Sequence, residues 1–113
     1  MTQDDEFLDY VLDQLAGLGG VAARRMFGGY GLFRDGAMFG LISGDALYFK
    51  AGAANRADFE AAGAAPFSYA RKGRRIALAY RAVPADVLDD ADSLCIWARK
   101  ACEAARAARS SPG

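Results

Sequence analysis

The stretch MFGGYGLFRDGAMFGLISGDALYFK, residues 26–50, decides the fold. Glycine recurs in it among phenylalanines, tyrosines and leucines, so two readings compete: a phosphate-cradling loop and a meander of short strands. Asp35 and Gly36 favour the meander, because a two-residue type I′ hairpin turn needs positive φ at both central positions and Asp-Gly tolerates it. With that turn fixed, Phe33 faces Met38, Leu32 faces Phe39, Gly31 faces Gly40 and Tyr30 faces Leu41. A second turn at Gly44 and Asp45 sets Ile42 opposite Leu47, Leu41 opposite Tyr48 and Gly40 opposite Phe49. A third tight turn, or a bulge, is expected at Gly28 and Gly29 after a strand over 24–27.

Side chains alternate across a strand, so this register sorts the meander into two faces. One collects Gly31, Phe33, Met38, Gly40, Ile42, Leu47 and Phe49, is wholly apolar, and should lie under helices. The other carries Tyr30, Leu32, Phe39, Leu41 and Tyr48 between Arg34 and Lys50, and is the expected partner or homodimer surface. Gly31 beside Gly40 beside Phe49 suggests an aromatic ring laid over two adjacent bare backbones, or a helix brought close to them, either of which explains strand glycines without a ligand.

Helices flank the meander. Leu8, Val11, Leu12, Leu15 and Leu18 recur at helical spacing after an acidic first turn that suits the positive end of the helix dipole, with Thr2 or Asp4 as cap and the glycines of 17–20 as the stop. A short helix ends at Gly63, with Pro66 just beyond. A second hairpin folds around Lys72 and Gly73. A helical turn over 85–88 precedes a final helix, beginning near Asp92, whose buried stripe is Leu94, Trp97, Ala98, Ala101 and Ala105. Tight hairpins with helices outside them predict a single α+β domain over 1–113: two layers, an antiparallel sheet with helices, in the order α-β(3-4)-α-β(2)-α. Its core is expected over about 4–108, with 109–113 as a tail.

Composition narrows the chemistry. The 113 residues are 53% hydrophobic, enough for one core, and 14 lysines and arginines balance 14 acids. The balance is uneven along the chain, since five acids and no base precede Arg24. There is no histidine, which removes the commonest general base and the commonest zinc ligand. Cys95 and Cys102 stand seven residues apart on one helix, about 10.5 Å along its axis, too far to bridge. The N-terminus is acidic where a signal peptide is basic then apolar, so a reduced, cytoplasmic, non-membrane protein is expected.

No catalytic, cofactor or metal residues emerge. Gly31 and Gly36 have P-loop spacing, but Ala37 and Met38 follow where lysine and serine or threonine are required. Asp86, Asp89, Asp90 and Asp92 lack EF-hand spacing and read as a solvated helix entry. The expectation is a non-enzyme without cofactor. Arg71, Lys72, Arg74, Arg75 and Arg81 form the candidate nucleic-acid contact, with no acid between Pro66 and Val83. At zero net charge the plainer reading is a solvated turn whose arginines pair with aspartates elsewhere.

The run RRMFGGYGLFRDGAMFGLI (24–42), with ANRADFEAAGAAPFSY (54–69), RKGR (71–74) and VPADVLDDADSLCIWARKA (83–101), resembles the N-terminal domain of the TfoX/Sxy family, standing alone without the family's C-terminal domain. The resemblance covers about 7–105 and rests on several separated motifs in one order. It implies a fold similar to secretion-chaperone-like domains. It also implies a role in bacterial DNA-uptake competence as a transcriptional co-regulator, with cyclic-AMP receptor protein or RNA polymerase as protein partners and no catalytic residues. A protein-interaction module is therefore the leading expectation. A nucleic-acid accessory protein using the hairpin over 71–81 is the second, and a small-ligand or enzymatic domain a remote third.

Overall fold

Asp35 at φ 54° and Gly36 at φ 79° close the type I′ turn that the sequence demands. In the computed structural model, which describes residues 3–26 and 28–110 with side chains at 6–26, 28–68, 72–73 and 79–108, this turn joins β2 (Gly29–Arg34) to β3 (Ala37–Ser43). Before them run α1 (Gln3–Gln14) and β1 (Val21–Met26); after them come β4 (Ala46–Lys50), α2 (Arg56–Ala62), β5 (Pro66–Arg71), β6 (Arg74–Ala82), α3 (Ala85–Leu88) and α4 (Ala91–Ser110). The strands form one six-stranded sheet in the order β1-β2-β3-β4-β6-β5, every described pairing antiparallel. The α+β order is as expected, with four strands ahead of α2. The proposed Thr2 cap lies outside the described residues.

The register differs from strict alternation at one place. Arg34 pairs with Ala37 and Phe33 with Met38, but the ladder then slips, so that Leu32 pairs with Gly40, Gly31 with Leu41 and Tyr30 with Ile42. Phe39 is the extra residue of a β-bulge. The bulge leaves little room beside it: a Cβ on Gly40 would stand 3.2 Å from Leu32 Cδ1 and 3.4 Å from the Phe49 ring. Without that Cβ, Phe39 and Phe49 crowd onto one side, their ring centroids 5.8 Å apart and tilted by 48°.

The slip moves residues between faces. Tyr30, Leu32 and Phe39, expected beside Leu41 and Tyr48, instead join Ala37, Ile42, Leu47 and Phe49 in the core beneath the helices. Phe33 and Met38, expected in that core, pass to the opposite face with Gly31, Leu41 and Tyr48. Gly31 and Gly40 are therefore not a shared platform. Gly31 is overlaid by Met26 and Phe33 on one side of the sheet, and Gly40 by Leu32 and Phe49 on the other. Gly29 opens β2 rather than completing the preceding turn, where Gly28 supplies φ 76°.

α4 crosses the core face with Leu94, Cys95, Ala98, Ala101, Cys102 and Ala105, small residues that admit close approach to the sheet. Trp97, expected in that stripe, is only partly buried and meets Phe59 of α2 edge-on at 5.1 Å. α1 adds Val11 and Leu15, and its Tyr10 hydroxyl donates to Asp89 at 2.7 Å while Gln14 Nε2 donates to the Leu88 carbonyl. Both cysteines are free and buried. α2 ends as expected, with Gly63 at φ 66° and the Ala64 N–H returning to the Phe59 carbonyl. The buried Asn55 accepts from Gly52 N and donates to Lys50 O, both at 2.8 Å, and so pins the loop between β4 and α2.

The glycines are separable by experiment. A Cβ at Gly29 would run into the Ile42 carbonyl, whereas Gly44, at φ 62°, faces open space. Gly29→Ala is expected to cost about 3 kcal/mol or more, as an overpacked site does, and Gly44→Ala about 1 kcal/mol of backbone strain. Urea unfolding measures both, and equal costs would contradict the register.

Candidate interaction surface

α1, α2, α3 and α4 all contribute to a single hydrophobic cluster on one side of the sheet. The other side carries Leu41 and Tyr80, both buried yet outside that cluster. Around them lie half-buried side chains: Met26, Phe33, Met38 and Tyr48, placed by the corrected register, and Phe67, placed by its ring contact with Tyr48. This helix-free face is what remains of the expected partner surface. Of Tyr30, Leu32, Phe39, Leu41 and Tyr48, only the last two are on it, and Leu41 is only 1% exposed.

The face has internal order. Tyr48 and Phe67 meet edge to face at 4.9 Å. The Tyr80 hydroxyl reaches from β6 across β4 to donate to the Met38 carbonyl at 3.2 Å, and Lys50 Nζ lies 5.3 Å over the Tyr80 ring. Arg24 stands 5.5 Å over Phe33. Each cation is held over a ring quadrupole rather than against a carboxylate. Lys100 with Asp58, at 2.9 Å, is an ion pair within the helical layer.

Charge is segregated between the layers. The six strands contain no acid, and with their tight turns they hold nine bases against Asp35 and Asp45. The rest of the chain holds five bases against twelve acids. The zero net charge thus conceals a formal +7 on the strands with their turns and −7 on the rest of the chain, a separation felt at short range because the Debye length in physiological salt is about 8 Å. A linear scan sees the acidic N-terminus but cannot see this separation, because it depends on which elements stack.

The basic hairpin is only partly described. The side chains of Arg71, Arg74 and Arg75 lie outside the described residues. Lys72 sits exposed in the turn at φ 51°, and Arg81 Nη1 donates to the Ala64 carbonyl on the helix side. The aspartates before α4 have local work: Asp89 accepts from Tyr10 and Asp90 from Ser93. Among the described residues, no group of three or more acids or cysteines is placed to hold a metal ion, and no helix is long and apolar enough to cross a membrane. Burial pushes the Cys102 thiol up, against the opposing pull of Arg34. A groove of about 330 Å³ between the 51–54 loop and the end of α4 is lined mainly by alanines, with Lys50 and Glu103 its charged residues.

The family model of the TfoX N-terminal domain matches residues 13–105, and the chain belongs to that family. It is 42% identical over 55 residues to the DNA transformation protein TfoX1 of Aliivibrio fischeri (strain ATCC 700601 / ES114). That match takes in 49% of this chain and 26% of the relative, so the chain spans about a quarter of the relative's length.

The open face has a pH signature. Burial raises the Tyr80 phenol from 10.0 to about 12. The unfolded chain therefore loses this proton first, and stability present below about pH 10 falls as pH rises towards about 12. The urea midpoint should drop more steeply over that window in the wild type than in Tyr80→Phe; identical slopes would refute the burial.

Proposed function

We propose that this member of the TfoX N-terminal domain family is a non-enzymatic regulatory binding domain in the process its relative is named for, DNA transformation. Its working surface, in this reading, is the helix-free face of the sheet. One observation carries the choice of face: after every described helix has packed on one side, Phe33, Met38, Tyr48 and Phe67 remain half-buried on the other. A monomer gains nothing by leaving rings and a thioether in contact with water, and contiguous apolar surface of this kind marks binding sites. The finer role, a transcriptional co-regulator acting with cyclic-AMP receptor protein or RNA polymerase in the cytoplasm, follows from the family resemblance alone.

The face is testable in the native cell. Tyr48→Ala combined with Phe67→Ala should lower transformation frequency at least about tenfold with the protein level unchanged by immunoblot. Ile96→Ala, on the exposed side of α4, should leave it unchanged. Normal transformation by the double variant would remove the face from the function.

A further inference from the structure

We propose that the helix-free face binds single-stranded nucleic acid, with bases stacked on its rings and phosphates held by its cations. The inference rests on that face being the working surface and names what occupies it. Three observations converge. The rings of Phe33, Tyr48 and Phe67 lie on one helix-free sheet surface at alternate strands, β2, β4 and β5 of the order β1-β2-β3-β4-β6-β5, a spaced row of platforms on which unpaired bases can stack. Arg24 and Lys50 are interleaved with them, held over Phe33 and Tyr80. No strand contributes an acid, and although Arg34 and Arg81 turn to the helix side, Arg24 and Lys50 stand on this face, so an approaching polyanion meets cations while twelve of the fourteen acids lie outside the strands and their turns.

Charge complementarity selects a polyanion, and the rings select among polyanions. An acidic protein segment would use the cations but has no planar groups to match the aromatics. A duplex presents phosphates but keeps its bases stacked on one another, out of reach of a flat sheet. A single strand uses both features. The β5–β6 turn, where Lys72 is exposed between Arg71 and Arg74 in sequence, extends the basic layer beyond the face and gives the strand further phosphates to cross.

The test is fluorescence anisotropy on the full chain with a labelled dodecamer of thymidylate at about 50 mM salt, with its uridylate counterpart, a duplex of the same length and polyglutamate as competitors. Both single strands should bind and compete, the duplex more weakly and polyglutamate weakest. Log affinity should fall against log salt with a slope of about −2 to −4, which corresponds to roughly three to six phosphates. Tyr48→Ala should weaken binding about fivefold to a hundredfold, the loss of one stacked base. Arg24→Gln should flatten the slope by about 0.7. Far-UV circular dichroism and urea midpoints confirm that each variant is folded, and Ile96→Ala serves as the unaffected control.

No binding at low salt overturns the inference, as does equal competition by duplex and polyglutamate with Tyr48→Ala unchanged, which would make the face a general acceptor of acidic partners. If oligonucleotide binding fails while the Tyr48 and Phe67 double variant still abolishes transformation, the working face stands and the nucleic acid falls. If oligonucleotides bind and transformation ignores the face, the proposed function falls instead.

Discussion

The one-residue slip at Phe39, with Gly40 beside it, is the constraint on which the sheet's two faces depend. Leu32 and the Phe49 ring approach the space a Gly40 Cβ would fill, and this convergence accompanies the slip that turns Phe39 inward. Phe39, Phe49, Leu32 and Ile42 are then fully buried beneath α4, each contributing about 1.5 to 3 kcal/mol of burial. A ladder without the bulge would place Phe39 and Leu32 on the opposite side and leave α4 with Met38 and Phe33 to cover.

From that choice of face the rest follows. The core side takes all the helices, and with them twelve of the fourteen acids, because helix starts favour negative charge and the surfaces of helices are solvated. The strands keep the apolar and basic residues. What emerges is a molecule of nearly equal extents, 33 × 30 × 28 Å, whose covered side is acidic and whose helix-free side combines aromatic rings with guanidinium and ammonium groups. A protein neutral in sum can in this way present a strong local field to a partner.

Much of this was legible in the sequence for identifiable reasons. Asp35-Gly36 and Gly63 are conformational signals that need no tertiary context, and they placed a hairpin and a helix end correctly. The helical stripes of α1 and α4 were equally plain, apart from Trp97, which turns aside to meet Phe59. The bulge was not legible. It has no local signal beyond a strand glycine, and Gly31 and Gly40 looked equivalent until the ladder showed one under Met26 and the other under Leu32. Because a single-residue slip exchanges every side chain between faces, that one omission moved Tyr30, Leu32 and Phe39 from the expected partner surface into the core. Asn55 was missed for a related reason: its two 2.8 Å bonds join backbone groups that meet only once the loop has closed.

The central claim is that the face bearing Met26, Met38 and Tyr48 is open in the folded protein while that bearing Leu32, Phe39 and Phe49 is closed. Hydroxyl-radical labelling of the native chain, read by mass spectrometry at each residue, measures this directly. The account predicts ready oxidation of Met26, Met38 and Tyr48, with Leu32, Phe39 and Phe49 protected until the protein is unfolded by urea. Protection of Met38 and Tyr48 equal to that of Phe39 would contradict it.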